Sequence, residues 1–184
     1  MKLFKNNLAL LIAILAFSFV GANAQGFSVD NQRQIEQKVF KQLIKLPYYG
    51  VFDHIFYRVD GNTVYLYGKV FNAVNKKSAE KSVKKIQGVK TVVNEIEILP
   101  LSRFDDSIRY RTLRTLSSRG GSLYRYFLGS HPSVRIIVDR GNVTLEGIVA
   151  SRGDSNLANI LANQVAGVFS VKNNLEIERD TRRN

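Results

Sequence analysis

The 184-residue sequence has no cysteine, no tryptophan, one methionine and three prolines. Without cysteine there is no disulfide framework and no thiolate metal site, so a small fold must be held by its apolar core alone. Histidine is scarce too: His54 and His131 stand alone, without the H-x-x-x-H spacing or cysteine partners that ligation needs. Acidic residues are under-represented, with 15 Asp+Glu against 27 Lys+Arg and a formal charge of +12. Apolar runs are short. The longest, the nearly unbroken stretch Leu8 to Val20, falls below the ~20 residues that span a bilayer. What is present, 45% hydrophobic, 10% aromatic and 23% charged residues, is the composition of an ordinary globular protein.

That apolar run follows Lys2 and Lys5 and ends at Ala22-Asn23-Ala24, a small-x-small cleavage site. Residues 1–24 therefore read as a signal peptide, cleaved after Ala24. No cysteine follows to carry a lipid, so the expected product is a periplasmic protein and not a lipoprotein. The lack of thiols also suits an oxidising compartment.

The remaining chain repeats itself. A shift of 79 residues superimposes Val59-Asp60 on Val138-Asp139, Val64 on Val143, Leu66 on Leu145, Gly68 on Gly147, Gly88-Val89 on Gly167-Val168, and Asn94 on Asn173. Thirteen of the forty positions from 59 to 98 are identical without a gap. Such a repeat must be read as a duplicated structural unit.

Each copy carries the same succession of periodicities. Ile35, Val39, Leu43 and Leu46 lie at helical spacing over 31–46, with Asp30 or Asn31 placed to cap the helix. Ile55, Tyr57 and Val59 alternate, Asp60-Gly61-Asn62 turns, and Val64, Leu66, Gly68 and Val70 alternate again, which predicts a hairpin. A helix from Asn72 to Gln87, closed by Gly88, and a strand over 89–99 complete the unit. The second copy follows suit: Ile108, Leu113 and Leu116 mark a helix begun by Asp105 or Asp106, then come a hairpin, a helix closed by Gly167, and a last strand over 168–178. The predicted fold is α+β: two tandem αββαβ units, each a three-stranded sheet with two helices on one face. Units are expected at 30–99 and 104–178, with a basic tail at 179–184. Gly68 and Gly147 interrupt strands and mark a bulge or a close crossing. With Gly88 and Gly167 they are structural positions.

The run Asp60-Gly61-Asn62-Thr63-Val64-Tyr65-Leu66-Tyr67-Gly68-Lys69-Val70, followed by Gly88-Val89-Lys90-Thr91-Val92-Val93-Asn94, resembles the BON module of bacterial osmotic-stress and nodulation proteins. Gly141-Asn142-Val143-Thr144-Leu145-Glu146-Gly147-Ile148-Val149 and Gly167-Val168-Phe169-Ser170-Val171-Lys172-Asn173 repeat it. The resemblance implies a non-enzymatic envelope protein that contacts phospholipid surfaces or other envelope components, with no cofactor.

No catalytic constellation appears. Asp105 and Asp106 are adjacent on a helix and do not face one another, and no serine sits in a G-x-S-x-G elbow. Charge is the remaining functional clue. In the second copy Arg109, Arg111, Arg114, Arg119 and Arg125 run into Tyr124, Tyr126 and Phe127, and arginine interleaved with aromatic rings suits peripheral contact with anionic phospholipid. The competing role for those rings is to close the core or fill the contact between copies. Lys77, Lys81, Lys84 and Lys85 form a secondary basic patch. Nucleic acid is disfavoured as a partner by export. The alternative function is a periplasmic stress chaperone or protein-interaction module.

Overall fold

The computed structural model describes residues 29–178. The signal peptide and the basic tail inferred above lie outside these residues. In chain order the elements are α1 (Val29–Leu43), β1 (His54–Asp60), β2 (Thr63–Val70), α2 (Ala73–Lys84), β3 (Thr91–Asn94), β4 (Glu97–Ile98), α3 (Arg103–Leu116), a 3-10 turn (Tyr124–Phe127), β5 (Val134–Asp139), β6 (Asn142–Val149), α4 (Arg152–Asn163) and β7 (Ser170–Ile177). This is the α+β duplication that the repeat predicts.

In each unit a hairpin is followed by a helix that carries the chain over to a strand parallel to the hairpin's second strand. β1 pairs antiparallel with β2, and β3 and β4 both run parallel to β2; β5, β6 and β7 repeat this arrangement. Alternation sends one set of side chains toward the helices. Ile55, Val59, Val64, Leu66 and Val70 pack with Ile35, Val39 and Leu43 of α1 and Val83 of α2. Val134, Ile136, Val138, Val143 and Leu145 pack with Ile108 and Leu116 of α3 and Ala158 and Ala162 of α4.

The duplication extends to single hydrogen bonds. Asn94 donates to the Lys76 carbonyl and accepts from the Ile96 amide, and Asn173 does the same with Ser155 and Leu175. Gly68 and Gly147 have φ of +110° and +116°. A Cβ on either would collide with a backbone carbonyl oxygen of the neighbouring strand, that of His54 or of Ser133. The strand glycines are thus sites of close backbone approach at a conformation other residues avoid.

Several boundaries differ from expectation. Helix α1 is already running at Val29, so Asp30 and Asn31 lie in its first turn and not before it. Helix α2 ends at Lys84; the bonds Ile86 N to Val83 O and Val89 N to Ile86 O make the tight turn in which Gly88 sits. The third strand of the first unit breaks into β3 and β4 on one register along β2. Helix α3 is capped by Ser102, whose hydroxyl accepts from the Asp105 amide.

The two units meet along a seam built from residues 49–52. Val51 and Phe52 pack against the second core. The Val51 carbonyl accepts from the Ile136 amide at 2.8 Å, and Arg135 donates to the Gly50 carbonyl at 2.8 Å with its guanidinium 4.7 Å from the Tyr49 ring centre. The outer edge of β5 is thereby covered, which protects it from pairing elsewhere. Lys69 and Asp139 add an ion pair at 2.8 Å across the seam.

Candidate binding surface

Helix α3 divides its charges between the interior and the surface. Arg109 is fully buried, with 0% of its surface accessible. Its guanidinium donates to Asp106 and to the Val138 carbonyl, both at 2.6 Å, and lies 4.8 Å from the ring centre of Phe71 in the first unit. That charge is spent on packing, so Arg109 is not available to a surface ligand. Asp105, also buried, accepts from the amides of Arg140 and Gly141 and pins the β5–β6 turn beneath the helix start. One of the two adjacent carboxylates therefore holds a turn and the other holds an arginine.

The segment after α3 is mostly structural. Leu123 and Tyr126 are buried in the second core, and the half-buried Phe127 packs against it. The Tyr126 hydroxyl donates to Asp154 and accepts from the Ala150 amide. Arg125 is exposed but lies over the Tyr126 ring and pairs with Asp154 at 2.9 Å. Burial works against ionisation of Asp154, and bonds from Ser151, Tyr126 and Arg125 overcome it, holding the carboxyl below its ordinary value. Tyr124 is half-buried. Of the two roles open to these rings, Tyr126 and Phe127 take the core.

Arg111, Arg114 and Arg119 remain exposed, and Arg111 reaches the Ala166 carbonyl in the turn that follows α4. That bond places Arg111 beside a patch not apparent from sequence. Phe104 and Phe169 pack together with ring centres 5.7 Å apart, yet 48% and 73% of their surfaces are accessible. Leu101, just before α3, is 94% exposed. Phe104 lies over Gly167, and Phe169 lies over Gly141 beside the exposed Arg140. Two packed rings thus stand largely in water, with Arg111 bonded next to Gly167 and Arg140 next to Gly141, while Leu101 and Arg103 adjoin Phe104 along the chain. Isolated exposed apolar residues are ordinary, but a contiguous apolar patch with a charged rim marks an interaction site. The only hint in the sequence was Leu101 and Phe104 flanking Arg103, outside any buried periodicity.

Lys77, Lys81 and Lys84 lie exposed on α2, in the other unit, with Lys85 exposed at its C-cap, and Lys84 pairs with Glu80 at 2.6 Å. Among the described residues no helix is long and apolar enough to cross a membrane, and no group of His, Cys, Asp and Glu has metal-site geometry. His131 is exposed in a loop.

The BON domain family matches residues 31–100 and 125–179. The chain belongs to the BON domain family. The second match begins inside the 3-10 turn, so α3 lies between the two matched BON segments. No curated protein matches the sequence. Among solved structures, the C-terminal domain of CdsD, the structural protein of the type III secretion system of Chlamydia trachomatis, is 11% identical with a TM-score of 0.31, covering 82% of this chain and 98% of that one. A second CdsD structure is 12% identical with a TM-score of 0.27, over 82% and 96%. Neither value supports an inference about this BON protein's task.

Proposed function

We propose that this protein is an exported, non-enzymatic component of the bacterial envelope that docks reversibly on anionic phospholipid through the outer face of α3 and the adjoining tip of the second unit. The carrying observation is the exposed, mutually packed pair Phe104 and Phe169 beside Arg111 and Arg140, with Leu101 exposed just before α3. Rings at headgroup depth with guanidinium groups on phosphates satisfy both halves of a membrane interface. Arg114, Arg119 and Tyr124 extend the basic and aromatic surface, while Arg109, Tyr126 and Phe127 support it from within. Arg111, Arg114, Arg119 and Arg140 at about 1 kcal/mol each give about 4 kcal/mol before any apolar insertion, which corresponds to weak, reversible attachment.

Co-sedimentation with vesicles tests the proposal. Binding is expected to phosphatidylglycerol-containing vesicles at low salt, to fall at high salt, and to be absent with purely zwitterionic vesicles. Equal behaviour toward both vesicle types would refute it. Suppression of client aggregation without vesicle binding would favour a chaperone instead.

A further inference from the structure

A second feature lies far from α3 in character. The helix-free faces of the two sheets open onto a cleft of about 470 Å³, within the range of small-molecule sites. One wall, from β1 and β2, is aromatic. Phe56, 51% exposed, stacks on Tyr67 with centres 5.5 Å apart, Tyr67 on Tyr65 at 6.4 Å, and His54 lies 5.7 Å from Phe56. The facing wall is polar: Thr144, Glu146, Lys172 and Asn174, with Ile137 as its apolar member.

The duplication supplies an internal control. At the 79-residue offset, residues that build the cores match, including Val59, Val64, Leu66 and Val70. The cleft rings do not: Tyr67 answers to Glu146, itself on the facing wall, and Phe56 answers to Arg135, which is buried in the seam. The same fold carries a carboxylate at the place of Tyr67, so an aromatic ring there is not required for folding.

Charge narrows the ligand. In a protein of net charge +12, the cleft presents Glu95, Glu97 and Glu146 against Lys69 and Lys172, and Lys69 is already held by Asp139 and Glu97. A polyanion would meet carboxylates, and an acyl chain would meet a polar wall. Burial holds His54 below its usual pKa, so its ring is neutral at neutral pH and offers one donor and one acceptor. The Asn174 amide bonds Glu146 at 2.8 Å, setting a planar acceptor-rich pair opposite the rings. An uncharged polyhydroxylated molecule with apolar ring faces fits both walls, its C–H faces on the rings and its hydroxyls on the carboxylates and amide.

We propose that this cleft binds a neutral saccharide chain, with Phe56 and Tyr67 as the stacking residues and Glu146 and Asn174 as the hydroxyl-binding pair. The site is separate from the phospholipid surface and does not depend on it.

Titration calorimetry with the β-1,4-linked tetramer of N-acetylglucosamine tests it on the full-length chain. Saturable binding is expected, unchanged between low and high salt, and weakened about tenfold or more by Phe56→Ala, about 1.4 kcal/mol or more. Tyr67→Glu, which installs the residue the second unit carries at this place, serves as a fold-compatible second variant and is expected to weaken binding while leaving vesicle co-sedimentation unaltered. No heat from the tetramer at millimolar concentration, or affinity unaffected by both substitutions, would overturn the proposal.

Discussion

Replacing Arg109 separates its buried role from a surface role most sharply. Arg109→Ala removes a charged hydrogen bond to the Val138 carbonyl, worth about 1.5–3 kcal/mol, and a contact with the Phe71 ring worth about 0.5–2 kcal/mol, and leaves a void. Asp106 is 38% exposed and can return to water, so its loss of a partner adds little. The sum is about 3–5 kcal/mol. For a chain of this size that lowers the melting temperature by roughly 10 °C. Arg109→Met, which keeps the stem and drops a guanidinium whose Nε lacks a partner, should cost much less. Calorimetric melting supplies the first readout and vesicle binding, measured well below the transition, the second. An unchanged melt with weakened vesicle binding would refute the placement of this charge in the interior.

Gly147→Ala forces a Cβ against the Ser133 carbonyl at a φ of +116°, and should cost at least about 1–3 kcal/mol in denaturant titrations. Gly68→Ala should do the same to the first unit, and a neutral result for either would contradict the close strand crossing. The Lys69 hydrogen bond lowers the pKa of Asp139, and Asp154 is also held low. Because both folded values lie below the unfolded one, their stabilisation is complete above about pH 4 and is lost as pH falls through the folded values. Asp139→Asn and Asp154→Asn should therefore lower the urea midpoint at neutral pH and flatten its acid dependence; an unchanged acid slope would argue against these bonds.

Local periodicity made the elements legible. The strands around Val64 and Val143 and the glycines at 68 and 147 announce themselves because alternation and offset depend only on neighbours along the chain. The seam does not, since Tyr49-Gly50-Val51-Phe52 has no period and its partners, Arg135 and Ile136, lie some 85 residues away. Arg109 was misleading for a related reason. It looks like one arginine in a series, and only the Val138 carbonyl and the Phe71 ring reveal that its turn of the helix faces inward. Phe104 and Phe169 carry little signal along the chain, because lone aromatics in a small domain are ordinarily spent on the core. Here each covers a glycine while leaving much of its ring in water.

Because the chain has no native cysteine, single nitroxide labels are easily placed. Labels at Phe169→Cys and Lys81→Cys, read by electron paramagnetic resonance with oxygen and a water-soluble nickel complex on phosphatidylglycerol vesicles, measure immersion directly. Oxygen-dominated relaxation at 169 with nickel-dominated relaxation at 81 is the outcome predicted by docking through the tip of the second unit. A water-exposed label at 169, or immersion at 81 instead, would contradict it.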